Sequence, residues 1–148
     1  MRRYLRALPI LTLTLFADAA YAKQIVFFQK TEVGEGATAE MAERVFAHTV
    51  MALRQLEEIE LRTTSECDAP CEHPRYIISS EIRSQAPFFT IYFRIIDRER
   101  GIAANIRRLR VKDATFEELL ELITPDLVKN FFVFQDAGGY SKSEFIEK

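Results

Sequence analysis

The sequence predicts an α+β fold: a mixed sheet of about four to five strands with two helices packed on one face. Three observations predict it. Phe88–Asp97 (FFTIYFRIID) alternates its side chains with the two-residue period of a strand. Residues 39–58 and 116–131 instead repeat apolar positions every three to four residues, the period of an amphipathic helix. Between them the strand-like runs follow one another across short turns, which favours hairpins over alternating strand–helix units.

Taken in order, Gln24–Gln29 (QIVFFQ) is a short β-branched and aromatic run and reads as a first, buried strand. Val33–Ala37 (VGEGA) is a turn with two glycines, and Thr38 is placed to cap a helix. From Ala39 to Glu58, Met41, Val45, Phe46, Thr49, Val50, Leu53 and Leu56 form one face. Glu40, Glu43, Arg44, Arg54 and Glu57 fall on the other side, giving a helix with one face on a sheet. Ile59–Thr63 is a short strand, residues 65–74 a loop, and Tyr76–Arg83 the next strand. After a turn at Ser84–Pro87, Phe89, Ile91, Phe93 and Ile95 line the buried face of the long strand. Phe88, Thr90, Tyr92, Arg94 and Ile96 line its half-exposed face. Asp97–Gly101 is a hairpin turn, and Ile102–Val111 returns with Ile102, Ala104 and Ile106 expected on one face. Thr115 and Glu118 form a capping box for the second helix, which Pro125 must kink or split near Thr124. The domain spans residues 23–134, and 135–148, with Gly138 and Gly139, reads as a flexible tail.

Residues 1–22 have the order of a secretory signal peptide. Arg2, Arg3 and Arg6 precede the apolar run Ala7–Phe16, and Ala20-Tyr21-Ala22 supplies small residues for cleavage. About ten apolar residues fall short of the ~20 that a membrane-spanning helix needs, which favours cleavage over a retained anchor. No cysteine follows Ala22 directly, so no lipidated amino terminus is expected. Loss of three Arg and one Asp with the leader moves the formal charge from −2 to −4. A mildly acidic chain with interspersed signs is not the footprint of a nucleic-acid binder. The expected product is therefore exported and not an integral membrane protein after cleavage.

Five features could carry chemistry. Cys67 and Cys71, separated by Asp-Ala-Pro, read as a disulfide pinning one loop in an oxidising compartment. With His73 and Glu72 nearby, a metal site or a redox pair is the alternative, although no second ligand cluster lies downstream. Arg107, Arg108, Arg110 and Lys112 form a basic cluster on the return strand. Arg108, Arg110 and Lys112 share a face there, and Arg107 points the other way. They guard a sheet edge or receive an acidic partner, an anionic lipid or a glycan. Phe131, Phe132 and Phe134 are core or a partner patch. His48 reads as a boundary residue of the first helix, and Gly34-x-Gly36 lacks the rest of a phosphate-binding motif. No nucleophile–base pair or shared carboxylate cleft is apparent, so no enzyme activity and no cofactor are expected.

One stretch is also familiar in pattern. Within Arg75–Phe132, RYIISSEIRSQAPFFTIYFRIIDRERG, a return strand, and FEELLELITPDLVKNF resemble a domain shared by three envelope groups. These are the amino-terminal part of TolB, curli secretion channel subunits, and lipoprotein activators of penicillin-binding proteins. With the first strand and the helix from Thr38 to Glu58 in the right order, the resemblance covers residues 24–132. Tyr76–Ser80 and Ile95–Gly101 stand where that pattern has its strand ending in a small residue and its acidic turn ending in Gly. Ser80 replaces the pattern's Gly, the turn has one extra residue, and the two-cysteine loop is atypical. The resemblance implies an α+β fold, a periplasmic address and docking onto another envelope protein. The expectation is thus a non-enzymatic envelope interaction module; the alternative is a small metal- or redox-active protein using Cys67, Cys71 and His73.

Overall fold

The computed structural model describes residues 23–64, 74–131 and 145–147. Its elements are β1 (Gln24–Phe28), β2 (Glu32–Val33), α1 (Ala39–Arg54), β3 (Ile59–Thr63), β4 (Tyr76–Gln85), β5 (Phe88–Asp97), β6 (Ile102–Lys112), α2 (Phe116–Glu121), α3 (Pro125–Phe131) and β7 (Phe145–Glu147). The leader at 1–22, the loop with Cys67, Cys71 and His73, and Phe132 lie outside the described residues.

The strands form one mixed sheet in the order β3-β1-β4-β5-β6-β7, and β2 pairs beside β1 on the same strand, β4. β1 runs parallel to both β3 and β4, so α1 is the crossover of a β-α-β unit. β4, β5 and β6 are an antiparallel meander joined by tight turns. The α+β class and the helical layer on one face are as the sequence predicts. Five long strands carry the sheet, with β2 and β7 added as short ones. The β5–β6 register shifts between Ile95 and Ile96, so Ile102 aligns with Asp97 but Ile106 with Arg94. The shift marks a β-bulge in the pairing.

The core lies between the sheet and the helices. Val26, Phe28, Ile78, Ile82, Ile91, Phe93, Ile95, Leu109 and Val111 meet Val45, Leu53, Leu119, Leu120 and Val128 in one cluster. Phe28 stacks on Phe46 of α1 with ring centroids 5.2 Å apart. The first helix is shorter than expected, and the reason is local. The Gln55 N–H bonds back to Ala52 and Leu53, and the Glu58 carbonyl accepts from the Gln24 N–H at 3.1 Å. The chain at Glu58 thus already belongs to the sheet. Thr38 caps α1, and Thr115 with Glu118 completes the capping box of α2. The predicted break at Pro125 is complete: Thr124 Oγ1 accepts from the Leu127 N–H and Pro125 opens α3.

Two polar features set the turns. Asp97 is 3% exposed, and its Oδ1 accepts from the N–H groups of Glu99 (3.0 Å) and Arg100 (3.3 Å). Gly101, at φ +66°, closes this turn. The acidic residue and glycine of the sequence pattern are therefore a hairpin device. Ser80, the departure from that pattern, is 3% exposed and hydrogen-bonds Thr31, likewise 3% exposed, at 2.8 Å. Removing one hydroxyl strands the other in the core. Ser80→Ala or Thr31→Val alone is expected to cost about 1–2 kcal/mol, and the double variant markedly less than their sum. Urea titration of the four proteins checks this; strictly additive losses would refute the pairing.

On the helical side, Arg44 of α1 forks onto Glu117 of α2 with two 2.6 Å bonds and lies over the Phe116 ring. The pairing holds the Glu117 carboxyl below the usual carboxylate range. Glu58 is lowered as well, by a hydrogen bond from its own backbone N–H and then by Lys129. Stabilisation from such depressed groups is full above the ordinary Glu value of about 4.3 and is lost as pH falls through the lowered folded values. Thermal melts of the wild type and Glu117→Gln should therefore differ at pH 7 and converge toward pH 3. A gap that persists undiminished at pH 3 would assign the effect to packing.

Candidate interaction face

The helices cover one side of the sheet, and no described helix packs on the other side of the β4–β6 meander. Strand alternation places Glu81 and Arg83 of β4, Phe88, Thr90, Tyr92 and Arg94 of β5, and Arg108, Arg110 and Lys112 of β6 on this side. The register interleaves the charges with uncharged residues. Lys112 stands opposite Phe88, Arg110 opposite Thr90, and Arg108 opposite Tyr92. The Arg110 guanidinium carbon lies 3.6 Å from the centroid of the Phe88 ring, and that of Arg83 lies 4.9 Å from Tyr92. Ring faces are electron-rich, so stacking of this kind lets cations crowd onto a flat surface without excess repulsion.

Glu81 lies in this patch, in register with Glu32 of β2, and accepts from Arg83 Nε at 2.6 Å. That pairing raises the Arg83 pKa further above its already high ordinary value. Arg94 is exposed, Phe88 and Tyr92 are half-buried, and Lys112 is exposed at the end of β6. The patch therefore presents planar guanidinium groups beside aromatic rims. Such groups can fork onto carboxylates or phosphates while the rings exclude water. This is binding chemistry.

The structure sorts the residues singled out by sequence. Arg108, Arg110 and Lys112 share this face. Arg107 is 8% exposed on the opposite, helix-facing side with Leu109 and Val111. β6 is also not the outermost strand along Arg108–Arg110, because β7 pairs beyond it; edge guarding does not describe those three positions. Phe131 ends α3. His48 is half-buried on α1 near Glu117. Among the described residues, no group of three His, Cys, Asp or Glu side chains is placed to hold a metal. No described helix is long and apolar enough to cross a membrane. Sequence reasoning missed Arg83, Phe88, Tyr92 and Arg94 as members of the site. The alternation of β5 had already put three of them on one side; what was lacking was the pairing that brings β4 and β6 alongside.

No family model matches the chain, and no curated protein sequence matches it. Solved structures do match its fold. Protein XCC0632 from Xanthomonas campestris aligns at 10% identity and TM-score 0.55, over 76% of this chain and 86% of that one. A PelC dodecamer from Paraburkholderia phytofirmans aligns at 12% identity and TM-score 0.52, over 76% and 89%. Lipoprotein GNA1162 from Neisseria meningitidis aligns at 7% identity and TM-score 0.50, over 72% and 94%. TolB from Acinetobacter baumannii aligns more loosely, at 9% identity and TM-score 0.48, with 75% of this chain on 29% of TolB. At such identities the likeness is one of fold, and the α+β architecture expected from the sequence is shared with XCC0632, PelC and GNA1162.

Proposed function

We propose that this chain is an exported, non-enzymatic cell-envelope protein that works by docking an acidic partner protein on the helix-free face of its β4–β6 meander. The observation that carries the reading is the interleaving of Arg83, Arg94, Arg108, Arg110 and Lys112 with Phe88 and Tyr92 on one face. Arg and aromatic residues are the side chains that most often dominate protein interfaces. The leader-like residues 1–22 support export to the periplasm, and the fold shared with a lipoprotein such as GNA1162 is in keeping with an envelope setting.

The test is a crosslinking pull-down from the native envelope with tagged protein beginning at Lys23, read by mass spectrometry. One abundant envelope protein should be recovered, less of it at high salt, and at least tenfold less with Arg108→Glu/Arg110→Glu. Equal recovery by that variant would reject the face as the docking surface. Recovery of nothing above background, together with stoichiometric zinc or free thiols, would reject docking and move attention to Cys67, Cys71 and His73.

A further inference from the structure

Phe27 is 1% exposed, yet it lies outside the cluster that the helices cover. Its neighbours Val26 and Phe28 point into that cluster, so strand alternation turns Phe27 to the helix-free side. Pairing extends it into an apolar row, because Phe27 is in register with Ile77 of β4 and Ile77 with Ile96 of β5. Ile25 falls on the same side of β1. Side chains of one layer flank a ring without covering it. α1, α2 and α3 all send residues into the opposite cluster, so none of them is the cover over Phe27.

The topology names what crosses there. β3, β1 and β4 are neighbours in that order and run parallel. The chain leaves β3 at Thr64, one residue beyond the Phe28–Thr63 pair, and its N–H donates to the Phe28 carbonyl. It re-enters the sheet at Arg75, one residue before the Val26–Tyr76 pair. The connection from β3 to β4 must therefore run back across β1, over one face or the other. On the helix side the place is taken, because Phe46 of α1 stacks on Phe28. Handedness gives the same answer, since crossovers between parallel strands are almost always right-handed. The step from β1 to β3 carries α1 on the helix side. The step from β3 past β1 to β4 goes in the opposite direction, so a right-handed connection runs over the opposite face. Thr64–Arg75 supplies about the dozen residues that such a crossover needs. From this we infer that the row of Ile25, Phe27, Ile77 and Ile96 is the floor of a second, smaller core, and that its occupant is the chain's own segment 65–73. The segment suits that floor: Ala69 and Pro70 between Cys67 and Cys71 are its apolar middle. Glu66, Asp68 and Glu72 are left for water and for Arg94, which is exposed beside the row. The inference does not rest on the proposed docking, whose aromatic residues, Tyr92 and Phe88, lie further along β5.

The experiment uses the chain from Lys23 to Lys148, isotopically labelled for nuclear magnetic resonance. Nuclear Overhauser contacts should run from the Phe27 ring to the Ala69 methyl and Pro70 ring protons, and none to them from the Phe28 ring. Phe27 contacts confined to Ile25, Arg62 and Ile77 would overturn the inference. So would contacts between segment 65–73 and Phe28 or α1, which would put the crossover on the helix side. A second reading uses Phe27→Trp, whose indole is a unique reporter because the chain contains no tryptophan. Its emission should be blue-shifted and shielded from acrylamide. Replacing residues 66–72 of that variant by Gly and Ser at equal length should shift the emission to the red and raise quenching several-fold, while circular dichroism remains that of the folded protein. Emission and quenching unchanged by the replacement would show that the segment does not cover Phe27, and would leave the envelope pull-down unaffected.

Discussion

Gly36→Ala should lower the stability of this protein by about 3 kcal/mol, roughly 10 °C in Tm for a chain of this size. Gly36 sits at φ +71°, where a residue with a Cβ is strained by about 1–2 kcal/mol. The added Cβ would also stand 2.0 Å from the Ser84 carbonyl oxygen, so backbone must move. The backbone there is tied down, because the Ser84 N–H donates to the Glu35 carbonyl at 2.9 Å and the Gly34 N–H to the Ile82 carbonyl at 2.8 Å. Relief of the clash breaks at least one of these bonds, which adds about 1 kcal/mol. Gly101 supplies the control. It shares the positive φ, at +66°, but nothing lies within 4 Å of its would-be Cβ, so Gly101→Ala should lose only the conformational part. If both variants melt within two or three degrees of each other, the close approach to β4 is not what requires glycine at position 36.

That pair of glycines also marks where the sequence could be read and where it could not. The turn at Val33–Ala37 was legible from composition, but the parallel pairing of Glu32 and Val33 with Glu81 and Ile82 was not. Two residues give no period to recognise, and their partners lie about fifty positions away. Local signals fared best. The alternation in Phe88–Asp97, the Thr38 and Thr115 caps, and the break at Pro125 depend on neighbours in the chain, and each is found in place. Features set by other strands were hidden: the bulge between Ile95 and Ile96, and the Thr31 partner of Ser80. The candidate site follows the same rule. The basic residues of β6, and the opposite facing of Arg107, could be read from alternation alone. Their aromatic companions on β5 and Arg83 on β4 join them only through the inter-strand register.

The same alternation separates folding from function in adjacent residues, and this gives the largest expected effect. Phe93→Ala should destabilise the protein by about 3–5 kcal/mol, a large part of the 5–15 kcal/mol that holds a typical domain. Phe93 is 1% exposed and packs within the main cluster, in which Ile78, Ile82, Ile91 and Leu109 are each no more than 1% exposed. A cavity there has no flexible neighbour to collapse into it, since strands on both sides are pinned by the β4–β5 and β5–β6 ladders. Its neighbour Tyr92 is half-buried on the other side of the sheet, beneath Arg83 and opposite Arg108. Tyr92→Ala should cost about 1 kcal/mol or less in stability, yet it removes one of the two rings around which the cations are arranged. Urea unfolding should give a large drop in midpoint for Phe93→Ala and a small one for Tyr92→Ala, both with m unchanged. The envelope pull-down should give the reverse order once both proteins are held at a temperature where they are folded. A Tyr92→Ala protein that recovers its partner like the wild type would remove the aromatic rims from the docking argument and leave charge alone to carry it. A Phe93→Ala protein that loses less than about 2 kcal/mol would mean that the core closes around a smaller residue, and the position would then be a tolerant one despite its burial.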